Sequence, residues 1–324
     1  MSRGHHGLPR ALPLTLRKSD ILSSLLQIDH DPRARARVLA IETKFRAKIS
    51  SHVASLPAAE SVFSKFNTSP FVLMIYTHRN AYTRVSQIEG DILPAKLFSS
   101  METSAGRMIE EILLPTFGWE CVLSGMHTPN SSLDGRKLEG EVLKVATLKS
   151  GPRCLNDEMS ENFADAIISH GQAWATEAGV KEIDFTYGVL YGTQKQSNKK
   201  DWHILRNLAE KLPESCFQEP PHHSWQCKFT HQDIRTTATI RVGKNWWDFL
   251  GGDSCLVELC AALIRACVRP CEVDADEHVY TISDLATIVS TRRVPESFNS
   301  ALLQRSQIPW LFFLARHFCD DLSE

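Results

Sequence analysis

The sequence predicts an α/β or α+β fold in which helices flank one central mixed β-sheet. The first observation is that helical and extended patterns alternate through the middle of the chain, as helix 102–114, strands 119–125 and 140–149, helix 156–178 and strand 182–191. The second is that both long helical patterns carry their own start and stop signals. Segments in this order typically pack as helices on a sheet.

The first helix of this series, 102–114, is predicted from its cap and its apolar stripe. Thr103 and Ser104 can cap its start, and Met108, Ile109, Ile112 and Leu113 recur at helical spacing. Pro115 and Gly118 end it. The second helix begins at the Asn156–Asp157 cap and ends at Gly179.

The strands are predicted from composition and alternation. Residues 140–149 are rich in Val and Leu, and Ile183, Phe185 and Tyr187 alternate along the strand at 182–191. Further along, the patterns indicate a helix at 203–212, strands at 225–229 and 236–242, a helix from Asp253 to Val268 and an amphipathic segment at 308–318. The apolar run 70–77 fits either a buried strand or a short buried helix.

The N-terminal part of the chain reads as mainly helical, because apolar residues recur at helical spacing through 19–66. We therefore expect two regions, a mainly helical one at 1–95 and a second one at 96–324 that contains the sheet.

Composition excludes several classes of protein. The chain has 324 residues, of which 43% are hydrophobic, and a net charge of −2. These values are ordinary for a globular protein. No apolar run approaches the roughly 18 residues of a membrane helix, and the polar N-terminus lacks a signal-peptide core, so we expect a cytoplasmic protein. Nine cysteines without a CxxC pair disfavour a zinc site. The absence of GxxxxGK[ST] and GxGxxG disfavours a nucleotide cofactor.

One stretch carries a pattern that suits phosphodiester hydrolysis. Asp134 precedes the strand at 140–149, and Lys149 stands where that strand ends. An acid and a lysine so placed can meet at one edge of a sheet. A carboxylate binds Mg²⁺ through hard oxygen ligands, and the metal lowers the pKa of a bound water. A nearby lysine can orient that water or stabilise charge on phosphorus.

This stretch resembles the type II restriction endonucleases of the PD-(D/E)xK superfamily over about residues 100–165. The helix Ser104–Glu110 is similar to the family's opening helix, Asp134 stands in the place of its first acid, and Thr147-Leu-Lys149-Ser-Gly-Pro is similar to its second motif. The resemblance implies a restriction-endonuclease-like fold and Mg²⁺ as the cofactor. It also implies Asp134, Glu110 and the backbone carbonyl of Leu148 around the metal, with Lys149 catalytic.

The sequence departs from the family pattern at Thr147, where the family has Asp or Glu. Threonine is no substitute for a carboxylate as a strong Mg²⁺ ligand. By analogy with restriction enzymes that take this acid from the following helix, Glu161 or Glu158 is one source of the second carboxylate, and Glu110 is the other. If none of them reaches the site, the chain is a relative that binds DNA without cutting it.

In this reading 1–95 binds DNA or forms a dimer, and 96–324 is the nuclease domain, with its catalytic core at about 100–250. Two polar segments, 194–202 and 231–244, and the residues just after Lys149 are predicted to contact DNA, since Lys and Arg bind phosphates and Gln, Asn and Arg read base edges. The predicted contacts are Arg153, Asn156, Lys195, Asn198, Lys199, Lys200, Gln232, Arg235, Arg241 and Lys244.

The sequence-based hypothesis is a homodimeric, Mg²⁺-dependent type II restriction endonuclease acting on double-stranded DNA. A two-fold symmetric DNA site calls for a two-fold symmetric protein. Two alternatives stay open: a repair or recombination nuclease of the same fold, and a DNA-binding protein without catalysis.

Overall fold

The computed structural model describes residues 11–55, 70–122, 129–212, 216–218, 225–270 and 280–324. The helices are α1 (Lys18–His30), α2 (Pro32–Ser55), α3 (Pro70–Arg79), α4 (Val85–Thr116), α5 (Asp157–Ala178), α6 (Lys200–Lys211), α7 (Lys244–Gly251), α8 (Cys255–Cys267), α9 (Leu285–Val289) and α10 (Ile308–Arg316). The strands are β1 (Thr15–Arg17), β2 (Glu120–Cys121), β3 (Gly135–Glu139), β4 (Val142–Lys149), β5 (Glu182–Val189), β6 (Cys216–Gln218), β7 (Trp225–His231), β8 (Ile234–Val242) and β9 (Asp321–Ser323).

The main sheet has seven strands in the order β2-β3-β4-β5-β8-β7-β6. Its centre is parallel: β4 pairs with β5 and β5 with β8, while β2, β3, β7 and β6 join by antiparallel pairing. Parallel strands need a crossover, which α5 supplies between β4 and β5. The predicted mixed sheet flanked by helices is confirmed at this level.

Each face of the sheet is covered by its own set of helices. On one face, Val145 and Phe185 lie in a core with Trp174 of α5 and Leu205 of α6. On the other face, Leu148 belongs to a larger core made with α1, α2, α4, α7, α8 and α10. The central strands are thus buried on both faces, which explains their long apolar runs.

The expected division at residues 95 and 96 is wrong, because it falls inside the continuous helix α4. The helices α1 and α2 fill the same core as α8 and α10, through residues such as Leu25, Val38 and Ile41. The short parallel pairing of β1 with β9 joins residues 15–17 to residues 321–323. The first and last described segments of the chain are therefore parts of one packed unit.

The structure decides two local questions that the sequence left open. The apolar run at 70–77 is helical, within α3, and Pro70 is its first residue, a position that suits the fixed φ of proline. Of the strand expected at 119–125, the described residues include Glu120 and Cys121 as a strand. The part of the expected strand from 123 onwards lies outside the described residues. Within the described part of the chain, no helix has the length and hydropathy needed to cross a membrane.

Candidate active site

Asp134 lies where the chain enters β3, directly beside the end of β4. Its backbone N–H donates to the carbonyl of Ala146 at 2.8 Å, and Gly135 pairs with Ala146 in the β3–β4 register. The chain therefore departs from regular pairing just before β3, because the Asp134 N–H bonds to the strand partner of the next residue. Asp134 lies beside the segment of β4 that ends at Lys149.

The Asp134 carboxylate is held by the backbone of the neighbouring strand. Its Oδ2 accepts a hydrogen bond from the N–H of Leu148 at 2.6 Å. Burial raises the pKa of Asp134, and the Leu148 N–H and the charge of Lys149 act in the opposite direction. The carboxylate is therefore oriented by a fixed donor and is only partly shielded from solvent.

The carbonyl of Leu148 faces the same edge as Asp134. In a strand, the N–H and C=O of one residue point to the same side, and the Leu148 N–H points to Asp134. The next carbonyl, that of Lys149, points the other way and accepts from Leu190 N at 2.9 Å. The Leu148 carbonyl oxygen thus points to the side of β4 on which Asp134 lies.

Lys149 is positioned by α5, which covers its face of the sheet. Its Nζ lies 5.7 Å from the centre of the Phe163 ring, within the range of a cation–π interaction. Phe163 in turn packs edge-on against Tyr187 of β5, with 5.6 Å between the ring centres. The ammonium group is therefore directed along an aromatic surface at the end of β4.

Glu110 of α4 approaches the same group from the other side. Burial and the nearby charge of Asp134 raise the pKa of Glu110 to about 7, against the opposing effects of Lys149 and Arg107. Glu110 therefore lies within electrostatic range of Asp134 and Lys149. Such a shift, caused by desolvation together with a specific charge partner, is typical of functional sites.

Thr147 stands at the position where the PD-(D/E)xK enzymes have an acid, and its side chain is used in a hydrogen bond within the protein. The side chain is only 2% exposed, and its hydroxyl donates to the backbone carbonyl of Ser132. The hydroxyl therefore ties β4 to the turn that leads into Asp134.

Glu161, the alternative second carboxylate, faces α6 instead of Lys149. It forms an ion pair with Lys211 at 3.4 Å, and its side chain is 61% exposed. Lys211 also pairs with Asp165, one helical turn further along α5. Glu158 is likewise exposed. Of the candidates for the second carboxylate, Glu161 is thus engaged with α6, whereas Glu110 lies within electrostatic range of Asp134.

The oxygen donors of this site suit a hard divalent cation. Two carboxylates, Glu110 and Asp134, and the Leu148 carbonyl make a small set of the type that holds Mg²⁺ together with waters and substrate phosphate. Within the described residues, no group of three or more His, Cys, Asp and Glu side chains forms a metal site. A metal here would therefore depend on water and substrate for the rest of its ligands.

Several predicted DNA-binding residues lie in or near the loop after Lys149, and they differ in how far their side chains are exposed and hydrogen-bonded within the protein. Arg153 and Lys195 are exposed, although Arg153 Nε also donates to Gln196 O at 3.1 Å. Asn156 caps α5 by accepting from Met159 N at 2.8 Å. Asn198 donates to Leu155 O at 3.0 Å. These contacts build the loop itself.

The two lysines at the start of α6 are also used internally. Lys199 donates to the carbonyl of Gln194 and lies 5.3 Å from the Trp225 ring centre, and burial lowers its pKa. Lys200 pairs with Asp157 at 2.6 Å. The expectation that both lysines are free for phosphate contacts is therefore wrong for Lys199 and weakened for Lys200.

The second predicted DNA-binding segment lies away from the site. Gln232 is in the tight turn between β7 and β8, with φ 51°. Arg235, exposed and paired with Glu182 at 2.8 Å, is level with Val142 across β5, whereas Lys149 is level with Val242. Seven residues of strand, about 23 Å, separate these levels. Gln232 and Arg235 are thus at the opposite end of the sheet from Lys149.

Arg241 and Lys244 have structural roles. The Arg241 guanidinium lies 4.1 Å from the Phe249 ring centre, and burial lowers its pKa against the charge of Asp184. Lys244 pairs with Asp248 one turn along α7 at 2.6 Å. The Arg241 guanidinium, predicted to contact DNA, thus packs against α7.

Sequence reasoning missed Phe163, Arg107 and Ser132. Arg107 precedes Glu110 by one helical turn, a spacing at which side chains are neighbours, so the sequence carried a signal for it. Phe163 and Ser132 reach the site only through tertiary contacts, with Lys149 and Thr147 respectively. The sequence matches no protein-family model and no curated protein.

Proposed function

We propose that the protein is a Mg²⁺-dependent endonuclease that hydrolyses phosphodiester bonds of double-stranded DNA, as a type II restriction endonuclease of the PD-(D/E)xK superfamily. One observation carries the proposal. The Asp134 carboxylate is fixed by the Leu148 N–H at the end of β4, within electrostatic reach of both Glu110 and Lys149. Two carboxylates and a lysine at one sheet edge suit phosphodiester hydrolysis.

Glu110, Asp134 and the carbonyl of Leu148 would hold the metal. When bound, Mg²⁺ supplies a Lewis acid for the phosphate and lowers the pKa of a coordinated water. Burial, and after it the charge of Asp134, raise the pKa of Glu110, and a bound divalent cation would offset both effects.

Lys149 would orient the attacking water and stabilise the charge that develops on the phosphate oxygens. Water adds to phosphorus while the bond from phosphorus to the leaving sugar oxygen breaks. The aromatic surface of Phe163 restricts the directions in which the ammonium can point. Arg153 and Lys195, both exposed near the end of β4, are the cations available for flanking phosphates.

Cutting both strands at a symmetric site would require two copies of the chain related by a two-fold axis, each cutting one strand. The proposal therefore includes a homodimer on DNA.

The first test is digestion of a sequenced supercoiled plasmid, once with Mg²⁺ and once with EDTA in excess over the metal. The ends of any fragments are then mapped. We expect discrete fragments with Mg²⁺ and none with EDTA. Asp134→Asn and Lys149→Ala should each lower the cleavage rate by about 100-fold or more, while DNA binding in Ca²⁺ persists.

The outcomes separate the proposal from its two alternatives. Cutting at branched or damaged sites without discrete plasmid bands would indicate a repair or recombination nuclease. Specific binding without cleavage at any Mg²⁺ or Mn²⁺ concentration would indicate a DNA-binding protein, and cleavage at the normal rate by Asp134→Asn would exclude the proposed centre.

A further inference from the structure

We infer that Thr147 is a positioning residue, which acts through the Asp134 turn and does not bind the metal. This inference rests on the proposed function for its catalytic consequence. The hydroxyl of Thr147 donates to the carbonyl of Ser132, two residues before Asp134. The side chain is 2% exposed, so its hydroxyl serves the protein interior.

The turn before Asp134 is held to β4 by a series of adjacent hydrogen bonds. The Asp134 N–H donates to Ala146 O at 2.8 Å, Thr147 donates to Ser132 O, and the Leu148 N–H donates to the Asp134 carboxylate at 2.6 Å. Three consecutive residues of β4 thus fix the backbone and the side chain of one aspartate. The Thr147 hydroxyl is the member of this series that a substitution outside Asp134 itself can remove.

A carboxylate at position 147 would meet an unfavourable partner. The group that faces the Thr147 hydroxyl is a carbonyl oxygen, which accepts hydrogen bonds and repels another acceptor. An ionised carboxylate placed there would be buried against a carbonyl oxygen, which is costly. At the position where the PD-(D/E)xK enzymes have an acid, this chain therefore has a hydroxyl that donates a hydrogen bond to the Ser132 carbonyl.

The consequence for the site is that Glu110 and Asp134 supply its carboxylates, and the orientation of Asp134 depends on Thr147. Residues that orient a metal ligand without touching the metal alter affinity by about 10- to 100-fold when they are changed. Misplacement of a reacting group by about 1 Å can cost on the order of 100-fold in rate.

The test compares Thr147→Val, which keeps the shape but loses the hydroxyl, with Thr147→Ser, which keeps the hydroxyl. Thr239→Val is the matched control, since Thr239 is 1% exposed and lies on β8, two strands from β4. Thr147→Asp is the fourth variant. Each is measured for Mn²⁺ affinity without DNA, for plasmid cleavage, and for hydrogen exchange of the Asp134 and Leu148 amides.

We expect Thr147→Val to bind Mn²⁺ about 10-fold more weakly and to exchange both amides faster, with kcat lowered more than KM is raised. Thr147→Ser should recover most of both properties, and Thr239→Val should change neither. Thr147→Asp should bind Mn²⁺ no more tightly than the wild type. If Thr147→Val does not fold, Thr147→Ala takes its place in the same comparison.

The inference is overturned if folded Thr147→Val, or Thr147→Ala in its place, keeps normal amide exchange and Mn²⁺ affinity, or if Thr147→Asp binds Mn²⁺ more tightly. Failure of the proposed function gives a different result. The wild type would then neither bind Mn²⁺ nor cut DNA, while the amide exchange of the variants, which needs neither metal nor DNA, would still decide whether Thr147 holds the turn.

Discussion

At the scale of single residues, the carboxylate of Glu110 opposes folding at neutral pH. Its pKa rises from an ordinary 4.5 to about 7 in the folded protein, chiefly through burial. Between these values the folded state binds more protons than the unfolded state, so stability falls as pH rises. The loss is complete above the folded pKa and absent below the unfolded one. Removing the charge of such a buried group is therefore expected to stabilise the folded protein, even where the group is needed for function.

We therefore expect Glu110→Gln to be more stable than the wild type at pH 8 in metal-free buffer. The gain should be about 1 kcal/mol after allowance for the solvent contact that Glu110 keeps, and it should vanish near pH 4. Urea unfolding at both pH values measures it. Glu161→Gln, which changes an exposed ion pair, is the control, and a Glu110→Gln protein less stable than the wild type at pH 8 would contradict the expectation.

Phe163 allows a second test at this scale. Replacing it with Leu removes the ring that faces Lys149 but keeps an apolar side chain beneath Tyr187. A cation–π contact of about 0.5–1 kcal/mol corresponds to a loss of about two- to five-fold in the cleavage rate. Phe163→Tyr keeps the ring and should stay close to the wild type. Equal rates for the Leu and Tyr variants would show that the ring does not position the lysine.

The choice between Glu110 and Glu161 could not be made from sequence. Both residues are on amphipathic helices near the motif, and both are acids at plausible positions. What separates them is packing: α4 carries Glu110 to the edge beside Asp134, whereas Glu161 is turned towards Lys211 on α6. Asp134 and Lys149, by contrast, are predicted from the sequence, because one precedes and the other ends the apolar strand that became β4, and the Asp134 carboxylate does contact β4 at Leu148.

At the scale of elements, the start of α5 fixes the loop that follows Lys149. Asn156 accepts from Met159 N at 2.8 Å and so caps the helix. We expect Asn156→Ala to lower the free energy of unfolding by about 1 kcal/mol, as measured by urea titration. Asn156→Ser should restore most of it. A loss of DNA affinity with no loss of stability would indicate instead that Asn156 contacts DNA.

The elements that sequence patterns identified best are the ones buried on both faces or capped by local signals. The helix at α5 was predicted to within a residue, from Asn156 to Gly179. β3 was not predicted as a strand, because Gly-Arg-Lys-Leu-Glu is short and largely polar. It exists through pairing with β4, a long-range contact that no local pattern records.

At the scale of the whole molecule, the N-terminal helices are joined to the C-terminal ones by a buried ion pair. Arg37 of α2 contacts Glu258 of α8 through two hydrogen bonds, at 2.6 and 2.8 Å. Glu258 is fully buried, whereas the Arg37 side chain is 30% exposed. The N-terminal part was therefore misread as separate, because nothing local indicates a partner 221 residues away.

This asymmetry predicts unequal effects of the two substitutions. Arg37→Met leaves a buried, uncompensated carboxylate and should cost about 3 kcal/mol. Glu258→Gln leaves an arginine that can reach solvent and should cost less. Guanidinium unfolding measures both, with the exposed pair Arg206–Glu210 as the control, where Arg206→Met should cost under about 0.5 kcal/mol. The reverse order for Arg37 and Glu258 would contradict this description of the core.

The central claim is that Glu110 completes the Asp134–Lys149 pair into a nuclease centre. The most direct measurement is the plasmid cleavage rate of the wild type, Glu110→Gln and Glu161→Gln at one Mg²⁺ concentration. We expect Glu110→Gln to cut at least about 100-fold more slowly, and Glu161→Gln to stay within about three-fold of the wild type. Loss of cleavage in Glu161→Gln but not in Glu110→Gln, or a wild type that does not cut DNA with Mg²⁺, would contradict the claim.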